Sequence, residues 1–254
     1  MSELIATSGL TKRFNGLTAV NRVDFRVNEG QTSGIIGPNG SGKTTLFNLL
    51  SGYFTPTDGT IVFKGKSITR TPPYERVRLG VGRTFQLVSV FTSLTVWENL
   101  VLANLRFKPK EMSPGRFFLR SARHAETLAD CAQSLAWVGL TEKAPAAVAE
   151  LSYGDKRMLE IGIVLSLKPR LLLLDEPLAG LSDHEIAQVV EMIRGIRSRL
   201  TVVIIEHKIS KIVDLVERLS VMNEGRLICE GTPDKVLCNP QVRECYWGKE
   251  GATC

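Results

Sequence analysis

The chain has 254 residues, 43% of them hydrophobic and 23% charged, with a formal net charge of +6. That balance suits one large domain, or a domain with a secondary lobe, whose core needs no staple. No apolar run approaches the roughly 18–20 residues that span a bilayer, the first residues lack the basic start and apolar stretch of a secretory signal, and the five cysteines are odd in number with no C-x-x-C, so a membrane span, a disulfide framework and a zinc site are not indicated. The expectation is a cytosolic chain that reaches a membrane only through a partner. Its modest positive charge is that of a solvated surface before it is a footprint for nucleic acid.

Residues 4–30 alternate polar and apolar positions, as in Val23-Asp24-Phe25-Arg26-Val27, and predict strands of an antiparallel sheet with Asn15-Gly16 as a hairpin turn. Phe14, just before that turn, either caps the apolar face of the sheet or offers its ring to a nucleotide base; the pattern leaves both open. Ile35-Ile36 then leads into GPNGSGKTT, Gly37 to Thr45, and on into a helical run, Leu46 to Leu50. This is the G-x-x-x-x-G-K-S/T pattern in its proper place between strand and helix. Gly37, Gly40 and Gly42 let the backbone curl so that N–H groups around Pro38, Asn39, Ser41 and Thr45 point at an anion, and the start of the helix adds its positive end. Lys43 supplies a full charge for the β- and γ-phosphates, and Thr44 a hydroxyl for Mg²⁺.

Further along, residues 60–64 predict a strand, Thr71-Pro72-Pro73 starts a helix to about Leu79, and Thr95-Val96-Trp97-Glu98 is a capping box for a helix to about Leu105. Residues 106–123 are basic and aromatic, broken by Pro109, Pro114 and Gly115. They read as a solvated loop entering a helix of roughly 20 residues that ends near Gly139. Leu171-Leu172-Leu173-Leu174 and Val202-Val203-Ile204-Ile205 are unbroken apolar runs, as in strands buried on both faces of a parallel sheet. A helix from about Asp183 to Arg199 joins them, a hairpin turns at Asn223-Glu224-Gly225, and Thr232-Pro233 starts a last helix with Thr232 as its cap.

Chemistry gathers at the ends of the two apolar runs. Asp175-Glu176 follows Leu174, at the carboxyl end of a buried strand where open α/β sheets bind ligands. Asp175 suits a metal held by phosphates, and Glu176 the orientation or deprotonation of a water. His207 follows Ile205 through Glu206 and can donate to a γ-phosphate. Ser152 and Asp155 form an S-x-x-D capping box, a sufficient reason for a helix start that is equally an anion site. Gln86, after Thr84-Phe85, reads either as an ordinary loop residue or as a sensor between two lobes.

The order GPNGSGKTT, Gln86, LSYGD, LLLLDEP, His207 resembles the nucleotide-binding subunit of ATP-binding-cassette transporters over nearly the whole chain. The resemblance implies an α/β fold: a P-loop NTPase core with a mainly parallel sheet, an antiparallel β subdomain and an α-helical signature subdomain. It makes 1–254 a single ATPase domain, with 1–87 and 168–254 as core and 88–167 as helical subdomain. It implies that Phe14 stacks on adenine, that residues 37–45 hold the phosphates of ATP, and that Gln86 senses Mg²⁺ and water. Asp175 supports the metal, Glu176 is the catalytic base and His207 contacts the γ-phosphate. Ser152 and Gly154 complete the site of a second ATPase chain, identical or a relative, in a head-to-tail dimer. Tyr153 and Asp155 depart from the commonest signature, as does Ala179-Gly180-Leu181-Ser182-Asp183 after the acid pair.

LSYGDKR, the basic insertion and the tail Asn239 to Gly248 resemble the subgroup that energises import of branched-chain amino acids, with the ATPase of lipopolysaccharide export as the near alternative. The implied partners are integral-membrane permease subunits and, indirectly, an extracytoplasmic binding protein, with the chain peripheral on the cytoplasmic face of the plasma membrane. Phe91, Leu94 and Trp97 are the candidate docking contacts. A soluble cassette ATPase acting on nucleic acid is the competing class; one cassette rather than two, no long coiled-coil insertion and no zinc motif speak against it. The acid at Glu176 speaks against a regulator that does not hydrolyse.

Overall fold

A computed structural model describes residues 2–85, 89–107 and 117–247. Its strands are β1 Glu3–Phe14, β2 Leu17–Val23, β3 Arg26–Asn28, β4 Thr32–Ile36, β5 Asp58–Phe63, β6 Lys66–Ser67, β7 Val81–Arg83, β8 Leu171–Asp175, β9 Thr201–Ile205, β10 Arg218–Asn223 and β11 Arg226–Gly231. Its helices are α1 Lys43–Leu50, α2 Pro73–Leu79, α3 Val96–Phe107, α4 Phe117–Trp137, α5 Tyr153–Ser166, α6 Asp183–Ile196, α7 Ile209–Ile212, α8 Pro233–Leu237 and α9 Pro240–Trp247.

The N-terminal alternation folds as an antiparallel sheet in the order β2-β1-β5-β6, with β3 on β1. Asn15 and Gly16 both take positive φ (42° and 94°), the two-residue turn that matches strand twist, and place Phe14 opposite Leu17. The second sheet runs β11-β10-β4-β9-β8-β7. Its pairs from β10 to β7 are parallel, and only β11 is antiparallel, through the hairpin at Glu224-Gly225.

The unbroken apolar runs follow from what covers the parallel sheet. Ile35, Leu171, Leu173, Val203 and Ile205 enter one core with Leu46, Phe47 and Leu50 of α1 and the antiparallel strands. Their neighbours Ile36, Leu172, Leu174, Val202 and Ile204 enter a second core with Leu100 of α3, Leu135 of α4, Leu159 of α5 and Ile193 of α6. A period of two sends alternate side chains into opposite cores, so these runs are apolar at every position.

Local expectations hold with several corrections. Thr95 and Glu98 exchange both capping bonds, and α3 starts directly after Thr95. Ser152 Oγ accepts from Asp155 N at 3.0 Å, but the Asp155 carboxylate turns to Lys143 Nζ at 2.6 Å, so that box is half made. The reciprocal box is at Ser182 and Glu185, opening α6. That helix ends at Ile196, three residues before the expected Arg199, because Ile196 is its last inward position and the chain must turn into β9. The last helix is two: Pro240 cannot continue α8, and Asn239 Oδ1 accepts from Gln241 N (2.9 Å) to start α9. Thr232 caps α8 by backbone shape alone, without a side-chain bond. Of the basic stretch 106–123, residues 108–116 lie outside the described residues, as do 248–254 of the tail.

The far end of α1 is closed by a buried guanidinium. Arg76, 1% exposed, donates to the carbonyls of Leu49, Leu50, Ile68, Thr69 and Thr71. It thereby satisfies helix-end oxygens that water cannot reach, and burial pushes its guanidinium down to about 10. Arg76→Met keeps the bulk and strips the donors. It should cost about 3 kcal/mol, the scale of losing charge-assisted bonds to buried carbonyls, read as a lower urea midpoint at unchanged m-value.

Candidate functional site

Four neighbouring strands, β4, β9, β8 and β7, run parallel, so their carboxyl ends line one edge of the sheet. That edge receives the loop 37–42 from β4, Glu206 and His207 from β9, Asp175 and Glu176 from β8, and Arg83 from β7. Sequence positions far apart converge because each follows a strand whose two faces are sealed, leaving the strand end as the outlet for polar groups.

The loop curls tightly enough that glycine is required by space as well as by conformation. A Cβ on Gly37 would stand 2.1 Å from the Met222 carbonyl, and one on Gly42 (φ 99°) 2.3 Å from that of Ala19. Asn39 and Gly40 are exposed at the crest, with Pro38 partly covered. Gly42 is the cap of α1, whose first N–H groups have no carbonyl within the helix. Ser41 is buried beneath, its carbonyl accepting from Gly225 N at 3.0 Å. Lys43 folds back over the loop: Nζ donates to the carbonyls of Gly37 (2.7 Å) and Pro38 (3.0 Å). Burial pulls this ammonium down, and the charges of Glu176 and Asp175 oppose that. Thr44 is exposed and Thr45 half-buried on the first turn of α1.

Asp175 is fully buried. Its Oδ2 takes Arg83 Nη2 at 2.8 Å, while Oδ1 has no hydrogen-bond partner among the described residues. Burial pushes its carboxyl up, and the Arg83 bond counters this. Glu176 holds a positive φ of 48° while its N–H donates to the Ile205 carbonyl. Its Oε1 stands 2.9 Å from His207 Nε2. Glu206, 2% exposed, accepts from Leu178 N (2.7 Å) through one oxygen, and from His207 N (3.0 Å) and Lys208 N (3.4 Å) through the other. Burial pushes this carboxyl up, and the three N–H donors pull the other way. An orphaned buried carboxylate oxygen and an exposed threonine hydroxyl are hard oxygen donors, the chemistry that suits Mg²⁺ beside phosphates.

The expected residues are not all in one place. Residues 37–45, Asp175, Glu176 and His207 share the sheet edge. Gln86 lies outside the described residues. Phe14 is 37% exposed and sits edge-on against Phe54, centroids 5.2 Å apart, with Lys12 Nζ 5.0 Å from its ring. It is therefore neither sealed into the sheet nor free on all sides. Ser152 and Gly154 open α5 away from these groups in sequence, and Gly154 N donates to Glu185 Oε1 at 3.0 Å.

Residues that pattern reading passed over complete the arrangement: Arg83, Glu206, and the pair Arg157–Glu160. Phe85 N donates to Glu160 Oε1 (2.9 Å), and Arg157 Nη1 donates to the Phe85 carbonyl (2.8 Å) and Glu160 Oε2 (2.9 Å). For Arg157 and Glu160 the signal available was a charged residue at an inward position of α5; Glu206 stood directly after an apolar run, and Arg83 had no such mark.

A family described as ABC transporter matches residues 20–179, and one described as branched-chain amino acid ATP-binding cassette transporter matches 226–251. The chain is 40% identical over 252 residues to the high-affinity branched-chain amino acid transport ATP-binding protein BraF of Pseudomonas aeruginosa, covering 97% of this chain and 98% of BraF. It is 32% identical to the lipopolysaccharide export system ATP-binding protein LptB of Acidithiobacillus ferridurans, covering 98% and 99%. The crystal structure of an ATP-binding cassette of an ABC transporter in its ADP conformation superimposes with a TM-score of 0.85 at 30% identity, covering 98% of this chain and 100% of that one.

Glu206→Gln tests the pin between Leu178 and His207. An amide has one acceptor oxygen where the carboxylate has two, so a buried N–H loses its partner. The expected loss is about 1–3 kcal/mol by urea unfolding at neutral pH. An unchanged midpoint would show that Glu206 holds nothing.

Proposed function

Because the chain belongs to the ATP-binding cassette transporter family, we propose that it is the ATP-hydrolysing subunit of an importer of branched-chain amino acids or related amino acids and amides. The observation that carries the hydrolytic part is Glu176, held at a strained strand end beside Asp175 and within 2.9 Å of His207. The import part is supported by the second family match, which falls on the C-terminal hairpin and tail. The lipopolysaccharide-export reading is second, favoured by a relative of lower identity.

In this reading the N–H groups of residues 37–45 and the Lys43 ammonium take the phosphates of ATP, and Lys43 exchanges its own loop carbonyls for phosphate oxygens. Phe14 supplies a face for adenine. Thr44, Asp175 and Gln86 would hold Mg²⁺, which would supply neutralisation of the phosphate charge. Glu176 orients the attacking water and accepts its proton. His207 steadies the Glu176 carboxylate in the free chain and turns to the γ-phosphate in the loaded one. Positioning of this kind is most of what phosphoryl transfer asks of a protein.

Ser152 and Gly154 act on the site of a second ATPase chain, identical or related. In the isolated chain Glu185 occupies the Gly154 N–H, so dimer closure exchanges that carboxylate for a phosphate oxygen. Residues 1–87 and 168–254 form the nucleotide-binding core, and 88–167 the lobe that meets the permease. Phe91 is 59% exposed, yet its backbone is fixed by Asn99 through bonds at both N–H (2.9 Å) and carbonyl (3.0 Å). With Leu94 and Trp97 it is an apolar contact of set position. Among the described residues no helix is long and apolar enough to cross a membrane. In this reading attachment to the cytoplasmic face runs through permease subunits, with an extracytoplasmic binding protein beyond them and no nucleic-acid partner.

Glu176→Gln should retain ATP binding and lose about 10²–10⁴-fold in hydrolysis, the range for a general base; wild-type turnover would remove Glu176 from that role. Ser152→Ala should leave nucleotide binding by the single chain intact and weaken hydrolysis. Wild-type hydrolysis per chain should rise with protein concentration or with added permease, and a rate independent of both would rule out the shared site.

A further inference from the structure

Arg83 is the cation at the sheet edge with no assigned task. Its side chain is 6% exposed, and its guanidinium is engaged on several sides. Nη1 donates to Asn48 Oδ1 (2.7 Å) and Ser51 Oγ (2.9 Å), at the far end of α1; Nη2 donates to Asp175 Oδ2 (2.8 Å). The rings of Phe47 and Phe85 lie 5.8 and 5.3 Å from its central carbon. Phe85 is itself immobilised from α5, its N–H on Glu160 and its carbonyl on Arg157. A planar fork with three bonded acceptors and two rings beside it has little freedom to turn.

We infer that Arg83 is the positioning residue for Asp175: it holds Oδ2, fixes the plane of the carboxylate and leaves Oδ1 alone to face the divalent cation. This rests on the reading of Asp175 as a metal-side residue. Three features of the geometry support it. The Arg83 bond accounts for one carboxylate oxygen, and the other is buried with no hydrogen-bond partner among the described residues. The same guanidinium grips α1 near its end, and the cradle Lys43 and Thr44 begins that helix, so the two sides of the cation site share one brace. Asn48, Ser51 and Asp175 need a fork with directed donors, which a lysine ammonium does not provide.

The test uses the full chain and a fluorescent ATP analogue, titrated with Mg²⁺ and, separately, in EDTA, so that no turnover is read. In the wild type Mg²⁺ should tighten binding, and Asp175→Asn should remove that gain. Arg83→Met should raise the half-saturating Mg²⁺ concentration about 10–100-fold, the usual cost of losing a partner that orients a ligand, with EDTA affinity changed less than about twofold. Arg83→Lys, which keeps charge and loses the fork, should behave like Arg83→Met and carries the test if the methionine variant fails to fold. Adding Arg83→Met, or Arg83→Lys in that case, to Asp175→Asn should change nothing further.

Wild-type Mg²⁺ dependence in the Arg83 variants, an equal loss in EDTA, or additive effects in the double variant would overturn the inference. If Asp175→Asn itself keeps the wild-type Mg²⁺ dependence, the metal-side reading of Asp175 fails, whatever Arg83 does.

Discussion

Leu171 to Leu174 have no face to give to water. The core on one side of β8 is shared with α1 and the antiparallel sheet, and the core on the other side with α3, α4, α5 and α6. The same holds for β9 and for the end of β4. Strands sealed on both faces have room for an acid or a base only where they stop. Every candidate site residue of the central sheet sits at such a stop, and all the stops lie on one edge because the strands are parallel. The position of the chemistry is thus a consequence of how the sheet is buried.

Placing acids at the end of a buried sheet has an electrostatic cost, visible in three carboxylates. Asp175, Glu160 and Glu206 are each pushed toward the neutral form by burial, and each has donors that oppose the push. Asp175 has Arg83, Glu160 has Arg157 and the Phe85 N–H, and Glu206 has three backbone N–H groups. A buried charge without such partners would neutralise or pull in water. These contacts also tie elements together: Glu206 joins the segment after β8 to the segment after β9, and Arg157–Glu160 joins α5 to the end of β7.

Several groups that would meet a nucleotide are satisfied within the chain. Lys43 lies on its own loop carbonyls, His207 on Glu176, and the Gly154 N–H on Glu185. Each is a bond between a site donor and an internal acceptor, so under the proposed function nucleotide binding would be an exchange of partners of similar kind. Such exchange limits affinity, since only the difference between the two partners counts.

Residues 37–45, the acid pair and His207 were legible because each is local: a spacing, or an apolar run followed at once by a charge. The antiparallel start, the capping box at Thr95 and the hairpin at Glu224-Gly225 were legible for the same reason, since a turn or a cap is fixed by four or five adjacent residues. The S-x-x-D match at Ser152 misled by half, because Lys143 competes for the Asp155 carboxylate and lies outside the motif. The single C-terminal helix divided where Pro240 removes a donor. Arg83 and Arg157 were invisible as site residues, and Glu206, though it follows an apolar run, showed nothing of its role: their partners are 92, 72 and 28 positions away, and a lone charge carries no periodicity. The sequence by itself determined the strands with an alternating or unbroken apolar pattern, and what chemistry stands at the ends of the runs 171–174 and 202–205; the two- and three-residue strands β6 and β7 are too short to show a pattern. Only the tertiary structure decided which buried charges meet, because that depends on strand order and sheet edge, which bring together residues that no local pattern links.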